Sequence, residues 1–192
     1  RRSGGARRAE AEVGRIVETR SGRVQGMALG GALAFRGIPF ARPPVGARRL
    51  RPPEPEEPWA GVREATLHGP AAPQNGSMTG ALLGLPNATH AEDCLSLGVV
   101  TPACDGGRRP VMVWIHGGGF VFGAGSQPVY ESPAFALRGD VVLVTINYRL
   151  GAFGWLALPA LGAEDGGVVG NQGLLDQIAA LEWVRDCIDR FG

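Results

Sequence analysis

Val111-Met-Val-Trp-Ile-His116-Gly117-Gly118-Gly119-Phe120 opens with five apolar residues that run without a break into a histidine and three consecutive glycines. The first five read as a buried strand, because continuous apolarity suits a strand covered on both faces. The glycines end it, since a backbone without Cβ can take turns closed to other residues and can come close to a ligand. Acyl transfer needs such a place: fixed N–H groups aimed at the oxygen that becomes negative in the tetrahedral intermediate. Three glycines after a strand can also be only a tight turn. A strand that ends in His116-Gly-Gly-Gly-Phe120, with a second apolar run beginning at Val141, matches the lipase and esterase type of oxyanion loop. Phosphate binding is the rival, but this loop carries neither a G-x-G-x-x-G pattern nor a lysine.

A second apolar run, Val141-Val-Leu-Val-Thr-Ile146, follows a helical stretch around Pro133 to Arg138. Two continuous apolar strands separated by a helix predict an α/β fold, with a mixed, mostly parallel central sheet flanked by helices. Leu95 to Thr101 reads as a further strand. Upstream, Arg15 to Arg20, Arg23 to Leu29 and Ala32 to Phe35 read as short antiparallel strands joined by glycine turns, a peripheral hairpin layer. Seven prolines between 37 and 58 fix φ and remove donors, so that segment is expected to run as a stiff loop. At the other end Leu174, Ile178, Leu181, Val184, Ile188 and Phe191 recur at spacings of 4, 3, 3, 4 and 3. That period predicts an amphipathic helix from Asn171 with those residues against the sheet.

The chain has 192 residues, enough for one core. Nineteen arginines against eighteen acids leave a net charge of +1, which supplies no field for nucleic acid or an anionic membrane. The absence of lysine excludes a Walker A loop and a Schiff-base amine. Cys94, Cys104 and Cys187 are odd in number and form no C-x-x-C, so neither a disulfide framework nor a zinc ribbon is encoded. His68, His90 and His116 form no H-E-x-x-H motif. No metal and no cofactor is called for. His116 is expected to brace the loop through a backbone hydrogen bond, and His68 and His90 to be solvated. Glu92-Asp93 point to opposite faces, which argues against shared acid–base work and for a buried ion pair to an arginine. Residues 1–14, with four arginines and no period, read as a flexible leader before a single incomplete domain at 15–192. Asn75 and Asn87 sit in glycosylation triplets within the polar stretch 74–91.

Gly37-Ile-Pro-Phe-Ala41 with Pro43-Pro-Val-Gly46, Glu92-Asp-Cys-Leu95, His116 to Phe120, Asn147-Tyr-Arg149 and Gly170 to Gln177 together resemble the type-B carboxylesterase and cholinesterase family. Leu175 to Val184 looks most like its bacterial para-nitrobenzyl-esterase-type members. The resemblance implies the N-terminal part of an α/β-hydrolase fold and a serine esterase acting on small-molecule esters through an acyl-enzyme. It implies Gly118 and Gly119 as oxyanion donors, with the third donor following the nucleophile. It also implies structural carboxylates at Glu92 and Asp176, the latter paired with Arg149. The family's G-E-S-A-G serine would lie about a dozen residues past Gly192, so the chain reads as a piece of something longer, inactive alone. With strand edges and apolar faces left open it is expected to aggregate or partly unfold when isolated.

Two departures matter. No cysteine precedes Cys94, so the disulfide of some relatives cannot form, and stretch 74–91 holds no aromatic residue to cage a quaternary ammonium. The alternative reading is a catalytically inactive cholinesterase-like adhesion or interaction protein, because a scaffold does not fix its function. No motif specifies an oligomeric state or a compartment.

Overall fold

The computed structural model describes residues 13–75, 89–158 and 168–192. Its framework is one seven-stranded mixed sheet. The strands are β1 (Val13–Glu18), β2 (Arg23–Leu29), β3 (Ala32–Pro39), β4 (Val62–Glu64), β5 (Ser96–Thr101), β6 (Val111–Ile115) and β7 (Val142–Ile146), and the main path runs β1-β2-β3-β5-β7-β6. Pairing is antiparallel along that path as far as β7, and β6 then lies parallel to β7. The short β4 adds parallel to β2 beside Arg23 to Gln25. The expected hairpins are therefore present but form no separate layer: β3 runs on to Pro39 and joins β5, which makes them part of the central sheet. The proline-rich segment holds only a 3-10 turn at Gly46–Arg48 and an isolated bridge between Ala41 and Pro55. Of the expected leader at 1–14, residues 1–12 lie outside the described residues, as does Asn87, and Val13 and Gly14 are strand instead, because they pair with β2.

Helices cover both faces, as the continuous apolar runs require. On one face α1 (Pro133–Gly139) packs Ala136 against Ala32, Ala34, Val100 and Leu143. Its start is fixed by Ser132, whose Oγ accepts the Phe135 N–H at 3.1 Å, and by proline at the first helical position. A five-residue helix α2 (Gly151–Trp155) follows β7 and leads into a two-stranded ribbon of β8 (Ala157–Leu158) and β9 (Val168–Val169). On the opposite face α3 (Gln172–Cys187) and its 3-10 extension to Phe191 close the larger core, where Trp183 and Phe191 meet Phe35, Ile38, Val99 and Val144. Phe191 meets Phe35 edge-on with centroids 4.9 Å apart.

Two expectations are corrected. The first half of the stripe chosen on the last helix faces outward, with Leu174, Ile178 and Leu181 43–46% exposed, while its second half, Val184, Ile188 and Phe191, packs inward as expected, beside buried Gly173, Asp176, Ala180, Trp183 and Cys187. The helix is apolar on both sides, and its packed face is selected by close approach and by an ion pair, which bulk apolarity does not register. Gly173 shows why, since a Cβ there would come within 2.6 Å of the Arg149 carbonyl oxygen. The second correction concerns strand coverage. β7 is buried at every position, but β6 ends the sheet among the described residues, and Val111, Met112, Trp114 and Ile115 remain 39–44% exposed. No described helix is long and apolar enough to cross a membrane.

Candidate active site

β6 delivers His116 and the three glycines to the end of the sheet beside the C-terminal end of β7. His116 is buried and its ring stacks on Tyr148 with centroids 4.4 Å apart. The Tyr148 hydroxyl donates to the His116 carbonyl oxygen at 2.8 Å, and His116 Nδ1 lies 2.8 Å from the Gly117 carbonyl oxygen. For that contact to be a hydrogen bond Nδ1 must carry the proton, so the ring braces the loop as expected of it. Burial lowers the imidazole below its ordinary pKa, against the opposing bond to Gly117, and the ring is neutral at pH 7. The unfolded chain takes up this proton near about 6.5 while the folded chain does not, so His116 costs stability as pH falls below that value. The urea midpoint is expected to be lower at pH 5.5 than at pH 7.5. A His116→Gln variant should show a smaller difference between the two pH values; an equal difference would remove His116 as its source.

Beyond His116 the backbone turns sharply. The Gly118 carbonyl accepts the N–H groups of Val121 at 3.1 Å and Phe122 at 3.3 Å. Gly118 has φ +121°, and a Cβ there would strike the Phe122 carbonyl oxygen, so only glycine fits. Among the described residues the N–H groups of Gly118 and Gly119 have no hydrogen-bond partner. Gly118 is half-buried and Gly119 exposed.

Four contacts hold this turn in place. The Phe120 carbonyl accepts the Gly151 N–H at 2.7 Å, and the Phe120 ring lies 4.1 Å from that of Trp155, which ties the turn to α2. Asn147 Oδ1 accepts the Gly125 N–H at 2.8 Å while its Nδ2 donates to the Pro70 carbonyl at 3.0 Å. Gln74 pairs with both backbone groups of Gly123. Further along, Arg36 makes a bidentate ion pair with Glu131 at 2.6 and 2.7 Å. Burial raises the Glu131 carboxyl, but hydrogen bonds from His68 and Arg36 outweigh it and hold it down at about 2. His68, expected to be solvated, instead lies 3.5 Å from Glu131.

The structural carboxylates behave differently from each other. Asp176 is fully buried and accepts from Arg149 Nε at 2.8 Å, from its second terminal nitrogen at 2.6 Å and from its backbone N–H at 3.0 Å, the pairing the resemblance implied. Glu92 does pair with an arginine, Arg49, but that side chain is half-exposed, so the pair is not the buried one expected. Solvent reaches it because Arg49 leaves a surface 3-10 turn. Cys94, Cys104 and Cys187 are buried free thiols, and burial pushes Cys94 up to about 12. Among the described residues no cluster of three His, Cys, Asp or Glu side chains could hold a metal.

Sequence reasoning named Gly118, Gly119 and His116 but gave no role to Gln74, Asn147 or Tyr148. Asn147-Tyr148-Arg149 did carry a signal, since a polar triplet that directly follows a fully buried strand must find partners in the interior. Gln74 carried none.

The sequence profile of the carboxylesterase family matches residues 13–192. Over 178 residues the chain is 45% identical to a para-nitrobenzyl esterase of Bacillus subtilis, an alignment that covers 92% of this chain and 35% of that protein. A phenmedipham hydrolase of Pseudarthrobacter oxydans is 45% identical over 183 residues, with the same shares covered. The crystal structure of a Geobacillus stearothermophilus carboxylesterase matches with a TM-score of 0.83 at 49% identity, over 92% of this chain and 35% of that one. The chain thus spans about a third of the length of the relatives it matches. A strand that ends in an open glycine turn, a buried Arg149–Asp176 pair, and this profile match across nearly all of the described residues lead to one conclusion: the chain belongs to the carboxylesterase family.

Proposed function

We propose that the protein containing this chain is a serine carboxylesterase that cleaves small-molecule esters through an acyl-enzyme, and that this chain supplies its oxyanion donors Gly118 and Gly119. The observation that carries the proposal is the pair of unpartnered N–H groups of Gly118 and Gly119 on a turn tied down by the bonds at Gly118, Phe120, Gly123 and Gly125. When a serine adds to the ester carbonyl, negative charge gathers on the carbonyl oxygen. Donors already fixed in place stabilise that charge without reorganisation, and each is worth about 3 kcal/mol. Backbone amides suit the task because they carry no net charge and hold their direction. His116 stacks on Tyr148 and through Nδ1 holds the Gly117 carbonyl, which suits it to bracing the donor loop. The nucleophile, its acid and its base belong to the remainder of the domain.

The test is a rapid-mixing assay of the whole protein with para-nitrophenyl acetate. A burst of nitrophenol equal to the enzyme concentration, followed by slower turnover, is expected of an acyl-enzyme route. Absence of both burst and turnover would turn the reading towards an inactive scaffold used for interaction.

A further inference from the structure

We infer that Gln74 is a positioning residue for the oxyanion donors, acting through Gly123; the inference rests on the ester-hydrolase reading above. Gln74 Oε1 accepts the Gly123 N–H at 2.8 Å, and its Nε2 donates to the Gly123 carbonyl at 2.9 Å and to the Ala72 carbonyl at 3.1 Å. Both side-chain donors and the acceptor are thus engaged, which leaves the amide one orientation. It pairs with Gly123 as a neighbouring strand would, although it comes from a segment 49 residues away.

Gly123 is buried and has φ +120°. A Cβ there would strike His116 Nδ1 and come within 2.6 Å of the Gly117 carbonyl oxygen, so its backbone lies directly against the His116–Gly117 unit. The Gly117 carbonyl and the Gly118 N–H belong to the same planar peptide group and point in opposite directions. Whatever fixes that carbonyl aims that donor. His116 holds the oxygen from one side, and Gly123, gripped by Gln74, bounds the space it can move into from another. The segment that carries Gln74 is itself anchored. Asn147 holds the Pro70 carbonyl, and Ala71 exchanges hydrogen bonds with Thr89 and Ala91 at 2.8 and 3.0 Å. The resulting chain of contacts runs from the segment at 70–75 through Gln74, Gly123 and the Gly117 peptide to the Gly118 donor.

Gln74→Leu and Gln74→Glu in the whole protein test this. Leucine removes every polar contact, and glutamate keeps an acceptor but loses both donors. The amide resonance of Gly118 is expected to shift in both variants, and kcat for para-nitrophenyl acetate to fall about tenfold, a change of about 1.4 kcal/mol. KM should stay within about twofold, because ground-state binding does not use the donor. Affinity for a trifluoromethyl ketone that forms a tetrahedral adduct should weaken by the same factor as kcat. An unmoved Gly118 resonance overturns the inference whatever the activity. A moved resonance with unchanged kcat overturns it as well, since the clamp would then be structural only. If the unsubstituted protein hydrolyses no ester, the ester reading fails by itself and the Gly118 resonance alone decides the clamp.

Discussion

Gly118→Ala is expected to lower kcat/KM for short-chain aryl esters by about 100-fold or more in the whole protein, the effect of losing one oxyanion donor. The reason is local. At φ +121° an L-residue is strained, and the new methyl group would occupy the position of the Phe122 carbonyl oxygen. The turn must open, which breaks the bonds from Val121 and Phe122 to the Gly118 carbonyl and swings the Gly118 N–H away from the substrate. The neighbouring glycines provide the control. A Cβ on Gly119 meets nothing within 4 Å but sits at φ +61°, so Gly119→Ala carries only backbone strain of about 1–2 kcal/mol. Gly117 has neither problem, and Gly117→Ala should stay close to the unsubstituted rate. The predicted order of loss is 118, then 119, then 117. Steady-state kinetics on the three variants checks it, and equal losses at 117 and 118 would contradict the donor geometry.

Asp176→Asn is expected to produce the largest loss of stability. Arg149 is 2% exposed and Asp176 fully buried, so the substitution strands a guanidinium in the interior with a neutral amide in place of its counter-charge. Removing one partner of such a pair costs about 3–5 kcal/mol. Against a total stability of about 5–15 kcal/mol that is a large fraction, and it corresponds to a fall in the thermal midpoint of the whole protein of about 5 °C. The location amplifies the loss. The pair joins the residue after Tyr148 to the first turns of α3, and Arg149 also donates to the Arg51 carbonyl at 2.8 Å, so β7, α3 and the proline-rich loop loosen together. Replacing both residues, as Arg149→Met with Asp176→Leu, should recover much of the loss, because no unpaired charge then remains buried. Differential scanning calorimetry of the single and double variants distinguishes the two cases; a double variant no more stable than Asp176→Asn would contradict this account.

How much of this was legible in the residues depends on the physics of each element. β7 was, because a run of four apolar residues broken only by Thr145 and buried on both faces has no other comfortable environment. The glycine loop was, because His-Gly-Gly-Gly after a strand combines a period break with a chemical requirement. The packed face of α3 was legible only in part: Leu174, Ile178 and Leu181 lie on the outer side, and the inner side sets Trp183 and Val184 beside Gly173, Ala180 and an ion-paired Asp176 that a hydrophobic pattern scores as polar or neutral. The hairpins were recognised but misplaced, since local turn chemistry fixes which strands are neighbours and says nothing of β3 joining β5. Gln74 was out of reach altogether. Its partner Gly123 is defined by tertiary approach, and a glutamine in a polar stretch looks the same whether it clamps a loop or faces water.

The central claim, that Gly118 and Gly119 face the developing oxyanion, is tested most directly by a crystal structure of the whole protein carrying a trifluoromethyl ketone as a tetrahedral adduct. The adduct oxygen is expected at about 2.7–3.1 Å from the N atoms of both residues, with the turn otherwise as described. An adduct oxygen that lies away from both amides, or an active protein in which this turn is filled by its own side chains, would contradict it.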